Sequence, residues 1–382
     1  MHLAELSLTG FRNLENTHLR FPEEGVAVVG PNAQGKSNLL EAVYYLESLR
    51  SFRGSGDRDL VRFGQDFFRI EGRVVTGPGD TRFRDEAREM VVAAGWLRTG
   101  RRKKVTLDGE EPPRLGDGVG HVGAVLFTPA DLALVNEGPQ LRRRFLDILL
   151  SLNEPGYLEA LQRFRQALAQ RNAALRESQG AKAAQAWDPL LVRDGAYVTL
   201  LRGAWIHGMS REFSRIHAEI SGEEMASMGY EPGIPELAPP PWDHGMVAEG
   251  YRAALKAARE REERQGTTVI GPHRDEMSLV LGEGDGGREV RRYGSGGQRR
   301  SVALTLRLLE AETIRSRKGR EPILLMDDIL AELDEDRTER VLGLLNRTAV
   351  GQVILTAPRD EQVRVRGGGM DRWSIQGGRI RT

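Results

Sequence analysis

The eight residues Gly30-Pro31-Asn32-Ala33-Gln34-Gly35-Lys36-Ser37 constrain this chain more than any other segment. They fit the pattern G-x-x-x-x-G-K-[ST]. A short apolar run, Val26–Val29, precedes them and reads as a buried strand; the run from Ser37 to Leu49 reads as a helix. Between a strand and a helix, the glycines let the backbone turn its N–H groups onto a phosphate, and the helix start adds its positive end. Gly30, Asn32, Gly35 and Asn38 are expected around the phosphates, with Lys36 neutralising them and the Ser37 hydroxyl offered to Mg²⁺.

Such a loop needs an acid at the end of a neighbouring strand. Ile323-Leu324-Leu325-Met326-Asp327-Asp328 supplies four apolar residues and then two carboxylates. Asp327 is expected to hold the metal through water. Asp328 points the other way if the strand continues, and would polarise an attacking water as general base. Ser37 and Asp327 are 290 positions apart, far more than an ordinary core needs, so something sizeable lies between them.

The intervening sequence shows what that is. Up to Phe127 the chain reads as strands (residues 3–9, 19–21, 67–75, 90–105 and 122–127) around the one helix. From Ala130 to about Ala218 it turns Leu-, Ala-, Arg- and Gln-rich with helical spacing: Leu141, Phe145, Ile148 and Leu149 share a face, as do Leu158, Leu161, Phe164 and Leu168. Residues 231–243 carry five prolines and read as a rigid connector. A charged helix (Met246–Arg264), strand-like segments at Met277–Leu281 and Arg288–Tyr293, and a helix from Gln298 precede the acidic strand. A helix at Arg337–Leu345 and a strand at Val353–Thr356 follow it. The expected architecture is α/β: a head of mixed sheets and helices at 1–129 and 270–382, split by a mainly helical lobe at 130–269. No repeat or long heptad array is visible.

Composition narrows the chemistry. The chain has no cysteine, which removes disulfides, thiol nucleophiles and Cys-ligated zinc or iron–sulfur sites, and a reducing cytoplasm is the simplest setting. Lys+Arg and Asp+Glu both total 55, so a whole-molecule field gives no argument for nucleic acid, while local basic patches remain open. The longest apolar runs are too short to cross a bilayer, and no basic segment followed by an apolar stretch stands at Met1, so neither a membrane span nor a signal peptide is expected.

A third string decides the class. Ser295-Gly296-Gly297-Gln298 precedes a helix a short way before Asp327. Here the chain resembles ABC-type ATPases, whose signature L-S-G-G-Q stands at this place; Gly294 replaces the leucine. Ser295 also reads as a plain helix N-cap, and both readings can hold. Ala331-Glu332-Leu333-Asp334 resembles the D-loop. Where many ABC proteins carry a switch histidine, Thr356 or Pro358 stands instead. Gln65 reads either as the Q-loop glutamine that helps hold Mg²⁺ and water or as a solvated turn residue.

Within that superfamily the chain is similar to the RecF family of bacterial recombination-mediator ATPases, with short SMC-like helical arms. The matching strings are Gly10-Phe11-Arg12-Asn13, the loop with Asn38-Leu39-Leu40-Glu41-Ala42, Ser51-Phe52-Arg53, Arg142 to Asp147, Gly271-Pro272-His273-Arg274-Asp275, and Asp327-Asp328 with Glu332-Leu333-Asp334. The resemblance implies ATP and Mg²⁺ as cofactors and an ATP-dependent homodimer. Each nucleotide would lie between one phosphate loop and the partner's Ser295, Gly297 and Gln298. It implies closure on duplex DNA near gaps or single-strand/duplex junctions, slow DNA-stimulated hydrolysis that resets the clamp, and partnership with RecR and, through it, RecO in loading the recombinase. It places Arg12 and Asn13 close to nucleotide; as residues alone they read equally as a turn at a strand end. Two other readings are an ATP-gated scaffold with incidental turnover and a transport ATPase subunit. Arg98, Arg101, Arg102, Lys103 and Lys104, together with Arg142–Arg144, Arg299–Arg300 and Arg315–Arg320, are candidate DNA contacts or merely solvated faces. Arg142–Arg144 read equally as braces of the lobe, and His273 and Arg274 as shaping a junction.

Overall fold

Three leucines show how the first strand is built. Leu3 and Leu6 have opposite parity, yet Leu3, Leu6 and Leu8 are all essentially unexposed. In this computed structural model a register shift between Leu3 and Glu5 brings them onto one buried face of the strand His2–Thr9. The structure describes all residues except 78–87, 178–179, 238–239, 283–285, 330–332, 348–350 and 360–369. By internal contacts the described chain forms two units: residues 1–132, 219–221 and 303–382, and residues 133–218 and 222–302. The second unit thus holds residues 270–302, which the sequence reading groups with the head.

The first unit contains two sheets. One is antiparallel, in the order Thr17–Arg20, His2–Thr9, Phe67–Thr76, Arg88–Leu97, Arg102–Leu107. The other has six strands, in the order Arg379–Arg381, Asp371–Gln376, Gly25–Val29, Val353–Ala357, Ile323–Asp327, Ala124–Phe127, and every pairing but the first is parallel. Its central strands are near-continuous apolar runs because both faces are covered. The helix Lys36–Ser48 packs against strands of both sheets. Leu39, Leu40, Val43 and Leu46 on it are fully buried, each contributing about 1.5–3 kcal/mol.

Two glutamates share that burial and must be paired. Glu47 Oε2 accepts the backbone N–H groups of Val122 and Gly123 at 2.8 and 2.7 Å. Glu41 is taken by Arg12 and Ser51. The Gln352 amide ties the sheets together: it donates to Leu3 O and Pro22 O and accepts from Leu3 N–H.

The second unit has long helices at Pro139–Asn153, Tyr157–Leu175 and His244–Gln265, the helix that starts at Asp188, and a three-stranded antiparallel sheet. A strand at Ala226–Glu231 was not expected from sequence. The segment expected as strand at Arg288–Tyr293 pairs for only two residues, Arg288 and Glu289, and then makes a helical turn closed by Gly294 N–H on Val290 O. Buried arginines organise this unit. Arg202 donates to Asp147, Asp275, Tyr157 and Pro272 O. Arg171 joins Asp188, Glu262 and Thr268. No helix among the described residues is long and apolar enough to cross a membrane.

His273 sits in this unit with Nε2 3.0 Å from Thr268 O, while its Nδ1 is buried without a hydrogen-bond partner. Burial, with the nearby arginines, pushes its pKa down to about 4. The folded state therefore keeps the ring neutral where the unfolded chain would protonate it. Stability is expected to fall as pH drops from about 6.5 towards 4, by up to roughly 3 kcal/mol from this group. Urea unfolding midpoints across that range, compared with those of His273→Gln, check this; a variant that loses stability as steeply as the wild type refutes it.

Candidate nucleotide site

The strand Gly25–Val29 delivers the chain to the loop at residue 30, and the helix resumes at Lys36. Gly35, between them, has φ +115°, and a Cβ there would lie 2.8 Å from Asn13 Oδ1, so only glycine fits. The loop curls around the Lys36 ammonium, which donates to Gly30 O at 2.8 Å, Pro31 O at 3.2 Å and Asn32 Oδ1 at 3.5 Å. That concavity, with a charge at its centre and a helix start behind it, is built to hold an anion.

Sheet order brings the acids to it. Strand Val353–Ala357 pairs in parallel with both Gly25–Val29 and Ile323–Asp327, so the ends of all three meet at the loop. Ser37 Oγ donates to Asp327 Oδ1 at 2.8 Å. The Thr356 hydroxyl stands 2.9 Å from Asp327 Oδ1 and 3.2 Å from Asp328 Oδ1, and accepts the Asp328 N–H at 3.1 Å. Asp328 has φ +50°. The strand ends at Asp327, alternation stops, and both carboxylates reach the same hydroxyl; they do not point to opposite sides. Burial raises the Asp327 pKa, and the nearby Asp328 charge adds to this; hydrogen bonds from Ser37 and Thr356, and the charge of Arg53, oppose it.

The loop is also gripped from outside. Gly377 N–H donates to Gln34 Oε1 at 2.7 Å and Gly378 N–H to Gln34 O at 3.0 Å. These glycines form the two-residue turn of the hairpin Asp371–Arg381, both with positive φ. A Cβ on Gly378 would stand 2.0 Å from Asn13 O. Asn13 itself bridges to Gln34 O and Asn38.

The family model described as "RecF/RecN/SMC N terminal domain" matches residues 2–370. The chain is 36% identical over 355 residues to "DNA replication and repair protein RecF" of Geobacillus kaustophilus (strain HTA426), covering 91% of this chain and 90% of that protein. It is 35% identical over 348 residues to the protein of the same name in Bacillus subtilis (strain 168), covering 90% of each. The chain belongs to the RecF family. A solved structure described as "the recombination mediator protein RecF-ATPrS in RecFOR pathway" superposes with TM-score 0.86 at 28% identity, over 99% of this chain and 97% of that one. An SMC head bound to the C-winged helix domain of ScpA matches with TM-score 0.55 at 17% identity, a likeness of fold alone.

The residues named from sequence differ in where the structure places them. Lys36, Ser37, Asn38, Asn13, Gly30, Asn32, Gly35, Asp327 and Asp328 gather at the loop in the first unit. Ser295, Gly297 and Gln298 belong to the second unit. There Ser295 and Gln298 form a reciprocal cap: Gln298 N–H donates to Ser295 Oγ at 3.2 Å and Ser295 N–H to Gln298 Oε1 at 2.7 Å. Gln298 Nε2 also donates to Glu224. Ser295 and Gly296 are exposed, and nothing stands within 4 Å of where a Gly296 Cβ would be. Gln65 lies in an exposed turn, its N–H on Arg62 O, and no hydrogen bond among the described residues joins its side chain to Ser37 or Asp327. Ala331 and Glu332 lie outside the described residues.

Arg12 is engaged internally. It holds buried Glu41 through Nε at 2.9 Å and Nη2 at 3.0 Å, and also donates to Ser55 Oγ and Asp59 O. The basic clusters are largely engaged too. Lys103 turns inward to Asp57, Leu49 O and the Tyr45 ring. Arg102 and Lys104 pair with Glu111. Arg142 is buried against Glu276, Arg143 donates to Asp275 O, and Lys318 is buried on Gly120 O.

Sequence reasoning assigned no role to Arg53, Gln34 or the hairpin turn. Arg53 Nη1 donates to Asn38 Oδ1 at 3.0 Å, and its charge reaches Asp327. The hairpin had a readable signal, Gly377-Gly378 between alternating Trp373, Ile375 and Ile380; its contact with Gln34 had none. Because Glu41 is fully buried, removing Arg12 strands a charge. Arg12→Leu is expected to lose about 3–5 kcal/mol in urea unfolding, with much of it recovered when Glu41→Leu is added. A single variant as stable as the wild type refutes the brace.

Proposed function

We propose that the chain is an ATP-dependent DNA-binding protein of recombinational repair, acting as a dimer. ATP closes two copies on duplex DNA near gaps or single-strand/duplex junctions, and slow hydrolysis, stimulated by DNA, reopens them. The observation that carries this reading is the meeting of Lys36, Ser37, Asp327 and Asp328 at one loop, in a chain whose other half-site, Ser295 with the bare backbone at Gly296, is exposed and capped. A lone loop with no in-trans cap fits a simple nucleotide binder; the pair fits two copies facing each other across two nucleotides.

In this reading Lys36 exchanges its contacts with Gly30 O and Pro31 O for phosphate oxygens, and the loop N–H groups and helix start complete the cradle. Ser37 and Asp327 fit a magnesium ion. They are hard oxygen donors within 2.8 Å of each other, and such an ion takes one or two carboxylates with phosphates and water. Bound there, it would neutralise phosphate charge. Arg53, held by Asn38, faces the same anion. Asp328 orients the attacking water as general base, and its short reach fits slow turnover. Gln65 would join only by moving from its exposed turn. Residues 270–302 act with the head, although their contacts lie in the second unit.

The partners in this reading are DNA, RecR and, through it, RecO, in the cytoplasm. Support comes from relatives named for DNA replication and repair and from a similar structure described within the RecFOR pathway. With so many arginines engaged internally, DNA contact falls to exposed cations such as Arg101 and Arg144.

Light scattering after size exclusion, with and without ATP and gapped DNA, tests the dimer. The wild type is expected to double in mass with ATP. Ser295→Arg is expected to stay monomeric while binding ATP within about twofold of wild type, since a side chain there blocks the partner's phosphate and not its own. Lys36→Met is expected to lose ATP affinity roughly tenfold or more. A wild type that remains monomeric with ATP, or a Ser295→Arg protein that binds ATP poorly, overturns the in-trans site. A scaffold with incidental turnover is the second reading, favoured by the shared, short Asp328. It requires Asp328→Asn to retain repair in cells where Lys36→Met loses it.

A further inference from the structure

The strand Val353–Ala357 contributes one hydroxyl to the site, and its surroundings are unusual. Thr356 is 4% exposed. Its Oγ1 lies 2.9 Å from Asp327 Oδ1, 3.2 Å from Asp328 Oδ1 and 3.5 Å from Met326 O, and it accepts the Asp328 N–H at 3.1 Å. A hydroxyl has one proton to donate. Three acceptors therefore share it, while one lone pair is fixed by the Asp328 amide. Ser37 already serves Asp327 Oδ1 at 2.8 Å. Asp328 is the neighbour that depends on Thr356 twice, through its backbone N–H and through its carboxylate.

That double dependence explains the backbone. Asp328 stands at φ +50°, a region an L residue occupies at a cost and keeps only when its surroundings hold it there. Were it to continue the strand, its side chain would point away from Asp327. The Thr356 hydroxyl supplies the contact that favours the turned form, since it pairs an amide and a carboxylate together only in that form.

We propose that Thr356 is the positioning residue for Asp328: its hydroxyl holds Asp328 in the left-handed turn and so sets the Asp328 carboxylate beside Asp327, ready for the attacking water. The role is exercised within one subunit, before any nucleotide arrives. It rests on the reading of this site as an ATPase centre with Asp328 as base.

Thr356→Val keeps the branched shape and removes the hydroxyl; Thr356→Ser keeps the hydroxyl and removes the methyl. Three readouts separate a positioning role from packing: ATP turnover, ATP affinity, and hydrogen exchange of the Asp328 amide in nucleotide-free protein. Thr356→Val is expected to lower turnover on the order of tenfold or more, keep ATP affinity within about twofold, and speed exchange at Asp328. Thr356→Ser is expected to restore both turnover and protection. Thr356→Ala serves the same comparison if the valine variant does not fold. A valine or alanine variant with wild-type turnover and wild-type protection at Asp328 overturns the proposal. So does a serine variant as impaired as the valine one, which would assign the effect to the methyl. A wild type that binds ATP without hydrolysing it strikes the underlying ATPase reading instead, and exchange at Asp328 then still decides whether Thr356 holds the turn.

Discussion

The parallel pairing of three strand ends is the constraint from which the site follows. Gly25–Val29, Val353–Ala357 and Ile323–Asp327 lie side by side, and only that order brings Ser37 within 2.8 Å of Asp327 across 290 positions of sequence. The apolar character of all three strands is what permits it, because a strand buried on both faces can sit at the centre of a sheet and a half-polar one cannot. Everything polar at the loop is thus placed by apolar packing beneath it. The polar groups buried along the way find partners: Glu47 through Oε2 on two amides, Glu41 on Arg12 and Ser51, Gln352 on two backbone segments.

The same economy explains how the phosphate loop is held in shape by the rest of the chain. Its lysine is satisfied by loop carbonyls, its fourth variable residue, Gln34, by the hairpin turn at Gly377-Gly378, and its flank by Asn13. Each of these contacts comes from a different part of the chain. A loop held on three sides loses little conformational freedom when it binds, and preorganisation of that kind turns more of each phosphate contact into affinity.

Much of this was legible. The phosphate loop, the acidic strand end and the Ser295 cap are set by local backbone rules, so short strings reveal them. Strands and helices followed from alternation and from helical spacing. What escaped has a common cause: it depends on partners far away in sequence. Arg12 reads as a cation free for nucleotide until Glu41 is seen buried against it. Lys103 reads as part of a basic run, yet strand parity turns it inward to Asp57 and Tyr45. The strand Ala226–Glu231 has a glycine and two methionine- or alanine-type positions in place of β-branched residues, and forms because Glu276–Leu281 offers it an edge. Alternation puts Asp328 on the opposite side only if the strand continues, and the strand ends at Asp327 with Asp328 at φ +50°.

The balanced charge of 55 against 55 takes on a different meaning once the arginines are placed. In this chain several guanidinium groups are structural cations. Arg202, Arg171 and Arg142 are buried, and Arg307 half-buried, against carboxylates, where a planar fork meets its acceptors in one rigid geometry. Charges paired in this way contribute almost nothing to a long-range field. A grip on a polyanion falls to the exposed cations acting together, among them Arg101 and Arg144. Zero net charge is therefore no argument against contact with a polyanion, because the sum of the charges does not say where the exposed cations lie.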